Sequence, residues 1–169
     1  MPKTYSFYWD PNEEDIILAM TKEFRRFFDD TLQKRMKEVK LTLEEVVAMA
    51  SIVEGEAKLD EERPIIAGVY YNRLRKRMNL EADPTIQYVL PGGPRRLFNS
   101  DYKFQSSYNT YLHPGLPPGP INNPGEKSIL AALYPKKHNF LYFVATGDGG
   151  HSFSETYQDH VKAKAKRKK

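Results

Sequence analysis

The sequence predicts an α+β fold, with several helices packed around a small antiparallel sheet, and three observations carry that expectation. Apolar residues recur at three- and four-residue spacing through much of the N-terminal half, the period of amphipathic helices. Near the C-terminus, "NFLYFVATGDGGHSFSE" reads as strand, Gly-rich turn and strand, a β-hairpin. Helical patterns both precede and follow that hairpin, which suits an α+β class. The 169 residues, 40% of them hydrophobic, fit a single globular domain over 1–169.

Taken in order, the first ten residues read as an aromatic strand or extended arm. "NEEDIILAMTKEFRRFFDDTLQKRMKEV" then reads as a helix opening near Pro11 and Asn12. A second helix covers "LTLEEVVAMASIVEGEA", residues 41–57. Thr42 can cap its start, and Glu45 three residues on completes a capping box. In "DEERPIIAGVYYNRLRKRMN" the proline suits a first helical turn, with Ile65, Ile66, Val69 and Tyr70 as the buried face. "ADPTIQYVL" places Asp83 at an N-cap and Pro84 at the first helical position. The following "PGGPRRLFNSDYKFQSSYNTYLHPGLPPGPINNPG" is long and rich in Pro and Gly, a composition that inside a compact domain marks a functional or a disordered segment. Its Tyr102, Phe104, Tyr108 and Tyr111 argue against disorder. "NPGEKSILAAL" repeats the cap-then-proline start, with Glu126 positioned to reach back, and after the hairpin the chain ends in a helix.

Composition excludes several functions. The net charge of +4 comes from the last eight residues, "KAKAKRKK", which hold six of the 26 basic groups. The body keeps 20 basic against 22 acidic groups, so it offers no electrostatic case for nucleic acid. The basic tail at 161–169 reads as a solvated helix end. The lack of cysteine excludes disulfides and thiolate zinc sites, and the four histidines show no metal-ligand spacing. No cofactor or metal is expected. No apolar run of about 20 residues is present, so the sequence as given holds no membrane span.

One residue in the second helix breaks the pattern. Leu43, Val46, Val47, Ala50, Val53 and Ala57 form its apolar stripe, and at about 100° per residue Glu54 projects into the middle of it. Glu56 points roughly 200° away, to the face of Glu45. The pattern therefore nominates Glu54 as a carboxyl lining a cleft over an apolar floor, where burial raises its pKa toward that of a general acid. A surface glutamate, or one buried against an arginine, fits the same pattern. Gly55 costs about 1 kcal/mol in a helix interior and so signals a close approach by a ligand or a neighbouring backbone. "YNTY", residues 108–111, combines phenol rings with an amide, a pairing that suits sugar recognition and equally suits packing on the core. "GDGGHSF" is a weak signal, because its glycines do not fit a phosphate loop.

"ASIVEGEA", "YNRL", "ADPTIQY", "YNTY", "GLPPGPINNPG" and "LYFVATGDGGHSFSET" occur in this order, and together they resemble the YceG-like family of endolytic murein transglycosylases over residues 41–160. The resemblance implies an enzyme that cleaves the β-1,4 bond between N-acetylmuramic acid and N-acetylglucosamine inside peptidoglycan strands and leaves 1,6-anhydro ends. It implies Glu54, the acid of the "IVE" motif, as the catalytic residue, used as acid and then as base. The expected substrate-binding set is Glu56, Asn72, Asp83, Thr85, Gln87, Tyr108, Asn109 and Tyr111. The resemblance further implies a role in cell-wall biogenesis and glycan-strand termination, with glycan strands and cell-wall synthases as partners. Full-length members act at the extracytoplasmic face of the bacterial inner membrane and carry an N-terminal membrane anchor and a LysM-like subdomain, neither of which is expected in this sequence. A non-catalytic peptidoglycan-binding module is the alternative.

Overall fold

The computed structural model describes residues 1–167, and 1–166 to the level of side chains. Seven α-helices and one two-stranded sheet follow in the order α1 (Glu13–Phe27), α2 (Asp30–Val39), α3 (Leu43–Glu56), α4 (Arg63–Arg75), α5 (Asp83–Val89), α6 (Glu126–Leu133), β1 (Tyr142–Ala145), β2 (His151–Ser154) and α7 (Tyr157–Arg167). Residues 1–10 form no strand, their last three residues bending through a left-handed Trp9, so among the described residues the sheet is the hairpin alone. No described helix is long and apolar enough to cross a membrane.

Local chemistry explains most helix starts. Asn12 opens α1 and Thr42 opens α3, each with a complete capping box, through Asp15 and Glu45 respectively. The expected single helix over 12–39 is two helices. Phe28 leaves helical geometry, and the Asp29 side chain accepts from Leu32 N at 2.9 Å, starting α2 afresh. Asp83 is not the cap of α5; that position is Ala82, and Asp83 lies in the first turn with its carboxylate free for other partners. Glu126 does not reach back over α6 either. The N–H of the α6 N-cap residue, Gly125, is met from another helix. The basic tail continues α7 through Arg167, and residues 168 and 169 lie outside the described residues.

The core is built around α3, which is buried on nearly every side. Val46, Ala48, Met49, Ala50, Ser51, Ile52 and Val53 are all inaccessible to solvent or nearly so. α6, α4 and α5 pack on it, and Ile66, Tyr70, Ile129 and Leu133 form one cluster with Met49 and Ile52. At about 1.5–3 kcal/mol for each large apolar side chain fully buried, this cluster is the main favourable contribution to folding. The hairpin pairs Tyr142 with Ser154 and Ala145 with His151, and its Phe143 meets Tyr70 of α4 edge-to-face at 6.0 Å. That contact sets the strands beside the C-terminal end of α3 and leaves a cleft between them.

Candidate active site

The cleft has a volume of about 570 Å³. Its walls come from the end of α3 (Glu56), α4 (Arg73), the segment entering α5 (Leu80, Glu81, Asp83), two tyrosines of the long irregular segment (Tyr102, Tyr111), both hairpin strands and α7. Glu56 accepts a hydrogen bond from Tyr70 Oη at 3.1 Å. Loss of hydration pushes its carboxyl up to about 7, the negative charge of Asp83 adds to the rise, and the Tyr70 bond works against it. Asp83 is held by Tyr111, whose Oη donates to Oδ1 at 2.6 Å. The Tyr102 ring stands edge-on to Tyr111 at 4.7 Å. The result is a carboxyl poised near neutrality beside a second, hydrogen-bonded carboxylate, in a pocket faced with phenols.

Why Asp83 comes so close is visible at Gly55. A Cβ there would stand 2.8 Å from Pro84 Cβ, so glycine lets the first turn of α5 lie against the end of α3.

Glu54 is turned elsewhere. Its Oε2 accepts from Gly125 N at 3.2 Å, from Ser128 Oγ at 2.6 Å and from Arg63 Nη1 at 3.2 Å. Arg63 also donates to Ser128 Oγ at 2.6 Å. The carboxylate therefore meets the free N–H at the start of α6 and ties α3, α4 and α6 together. It does not line the cleft, and the expected orientation of the two glutamates is reversed. The physical reason is that α3 has no single apolar stripe. With seven of its residues buried all around the helix, the direction of one stripe cannot say which side meets a cleft.

Of the other expected site residues, the cleft brings together Glu56, Asp83 and Tyr111. The rest take positions outside it. Asn72 Nδ2 donates to the carbonyls of His138 and Phe140 at 2.8 and 2.9 Å, fixing the chain that leads into β1. Thr85 shares a 2.9 Å hydroxyl contact with Thr110 inside the core. Gln87 bonds Arg95 O at the surface. Asn109 is fully buried and holds its own loop through Tyr102 O, Phe104 O and Tyr111 N. Tyr108 packs on Tyr88 with ring centroids 5.0 Å apart. The "GLPPGPINNPG" wall lies on α3 beside Glu54, with Ile121 N and Asn122 Nδ2 bonded to Ser51, and contributes no lining residue to the cleft. Tyr102, Arg73, Glu81, Tyr142, His151 and His160 line it without having been expected. The Tyr-rich character of 102–111 was the available signal for Tyr102; strand alternation offered none for Tyr142, since all four residues of β1 line the cleft.

A stability effect follows from Glu56. Its folded pKa of about 7 lies above its ordinary 4.5, so the folded state holds the proton more tightly than the unfolded chain. The group's contribution to stability is full below about pH 4.5 and is lost as pH rises through 7. Glu56→Gln, neutral throughout, should melt like wild type at pH 4 and be more stable at pH 8, by about 3 kcal/mol. Paired melts across that range check it. A wild-type protein as stable as the variant at pH 8 would mean that the carboxylate carries no such strain.

The sequence profile of the YceG-like family matches residues 1–166. The chain is 42% identical to the endolytic murein transglycosylase of Bacillus subtilis (strain 168) over 167 residues, covering 98% of this chain and 46% of that protein. It is 31% identical to the endolytic murein transglycosylase of Streptococcus pneumoniae (strain D39), covering 94% of this chain and 30% of that protein. Among solved structures, a yceG-like protein from Listeria monocytogenes superposes with a TM-score of 0.86 at 39% identity, over 96% of this chain and 52% of the other. The chain thus spans less than half the length of the curated relatives it matches.

Proposed function

The chain belongs to the YceG-like family, and on that premise we propose that it carries the catalytic machinery of an endolytic peptidoglycan lytic transglycosylase, with Glu56 as its acid and base. The observation that carries the reading is a carboxyl group held near pH 7 at the end of α3, in a tyrosine-faced cleft. Protonated Glu56 gives its proton to the glycosidic oxygen as the bond from the muramoyl anomeric carbon to that oxygen breaks. The muramoyl 6-hydroxyl attacks the same carbon, and its proton passes to the Glu56 carboxylate. The acid is restored, no water is consumed, and the product ends in a 1,6-anhydro ring. One carboxyl serves both steps because the nucleophile is tethered within the substrate. Glu54 in this reading is a structural anchor. The same reading assigns the protein to cell-wall biogenesis and strand termination at the extracytoplasmic face of the bacterial inner membrane, alongside cell-wall synthases.

Asp83 favours a second reading. A second carboxylate facing the same cleft is what a glycosidase that activates water requires. Mass spectrometry of digested peptidoglycan separates the two. Products one water lighter than their reducing-end counterparts are expected from the transglycosylase, and reducing ends alone would make it a hydrolase. Retention of intact strands with no product released would leave a binding module.

A further inference from the structure

"GDGGHSF" is a motif that the chemistry above does not use, and its histidine lines the same cleft. His151 begins β2 and is gripped twice by Glu62, which lies in the 3-10 turn (Asp60–Glu62) before α4. The backbone N of His151 donates to Glu62 Oε1 at 2.8 Å, and its Nδ1 donates to Oε2 at 2.7 Å. Both side chains are almost fully covered, at 8% and 12% exposure. The Phe143 ring meets the imidazole edge-to-face at 5.3 Å and fixes its plane. Gly150 makes the grip possible: a Cβ there would stand 3.2 Å from Glu62 Oε1, in the path of the carboxylate.

With Nδ1 committed to Glu62, the chemistry of the ring is presented at Nε2. Among the described residues Nε2 has no partner, and it is not one of the two buried polar side-chain atoms left unpaired, Arg73 Nε and His160 Nδ1. His151 and Glu56 line the cleft together, and Nε2 is the ring nitrogen left available to a ligand there. A buried carboxylate spent on orienting one imidazole has little structural need behind it, since the hairpin is already paired and Phe143 and Phe153 already pack on the core.

We propose that His151 is a second substrate-contacting residue of the transglycosylase cleft, its Nε2 accepting a hydrogen bond from a sugar hydroxyl, and that Glu62 is its positioning residue. The inference rests on the proposed function of this cleft, and it adds a contact on the wall formed by the hairpin. With Glu56 acting from the end of α3, the saccharide is held from two sides and its reacting bond is oriented against the acid.

Two substitutions separate substrate contact from scaffold. Asparagine places its amide N–H near the position of Nδ1 and preserves the bond to Glu62. Glutamine places an amide oxygen near the position of Nε2 and preserves the contact with sugar. With anhydro-product release as the assay, His151→Gln should stay within about 10-fold of wild-type kcat/KM, whereas His151→Asn should fall about 100-fold with an unchanged melting temperature. Asn at wild-type activity, or Asn and Gln equally active, would overturn the proposal. Glu62→Gln offers only one acceptor for two donors, and should lower kcat/KM about 10-fold and shift the imidazole ¹⁵N spectrum away from a single Nδ1–H tautomer. A spectrum unchanged in that variant would remove Glu62 from its positioning role. A third measurement is independent of turnover. In Glu56→Gln protein, titration with a soluble GlcNAc–MurNAc tetrasaccharide should move the His151 Nε2 resonance. Cleavage by wild type without that movement sinks the His151 contact alone; movement without cleavage by wild type sinks the transglycosylase reading and keeps the contact.

Discussion

Glu56→Gln should fold as wild type and lose glycan cleavage by about 10³-fold or more. The amide can still accept the bond from Tyr70 Oη, so the cleft keeps its shape. What disappears is the transferable proton, and general acid–base catalysis by a well-placed group accounts for about 10²–10⁴-fold. Here the same group serves both proton transfers, which sets the expectation toward the upper end. Glu54→Gln is the informative partner. It should keep most of its turnover and melt at a lower temperature, because Arg63, at 11% exposure, keeps Asp60 but loses the second of its two anionic partners, and the start of α6 loses its carboxylate. A destabilisation of about 1–3 kcal/mol is expected for that loss. Anhydro-product release and thermal melts on the two variants decide the assignment. If Glu54→Gln is inactive but stable and Glu56→Gln is active, the acid is Glu54 and the cleft described above is not where the bond is cut.

Gly68→Ala should be the most damaging single methyl group in the protein. Alanine is normally the better helix residue, by about 1 kcal/mol. At position 68 its Cβ would lie 2.5 Å from His138 Nε2 and closer still to the Lys136 carbonyl oxygen. Neither neighbour is free to retreat. Lys136 N donates to Pro64 O at 2.8 Å, His138 Nε2 bonds Ile65 O at 2.9 Å, and Asn72 holds the His138 and Phe140 carbonyls. Overpacking of this kind costs about 1–3 kcal/mol and more where backbone must move. A net loss of about 3 kcal/mol corresponds to a fall in melting temperature on the order of 10 °C for a chain of this size. Because this segment leads into β1, cleavage should fall as well, through displacement of the hairpin wall. An equal or higher melting temperature for Gly68→Ala would show that the segment 136–140 yields easily and does not fix the hairpin.

Much of the fold was legible in the sequence because its signals are local. The helix start at Asn12, the capping box at Thr42, Pro64 in a first helical turn and the glycines of the hairpin turn each act within about four residues, and each appears where expected. The break at Phe28 and Asp29 was legible too, as an aspartate able to cap a new helix, but an unbroken apolar period hid it. Two segments that stood out in the sequence, the end of α3 and the entry to α5, supply lining residues of the cleft, whereas Glu54, Tyr108, Asn109 and the "GLPPGPINNPG" wall do not.

Which of two carboxylates faces that cleft was decided only by tertiary structure. Glu54 and Glu56 stand two residues apart on a helix buried on nearly every side, so hydrophobic periodicity carries no information about direction there. The choice is made by what arrives from elsewhere. Arg63, Ser128 and Gly125 converge on Glu54 and hold it as an anchor, while loss of hydration and the negative charge of Asp83 keep the proton on Glu56. Asn72 and Asn109 follow the same logic in reverse. Their amides look like sugar ligands in the sequence, but buried backbone carbonyls claim them, because an unpaired carbonyl inside the fold costs more than an amide left in water. Sequence determined the elements and the neighbourhood of the site; long-range packing, by choosing which polar groups are satisfied internally, determined which ones remain to meet a substrate.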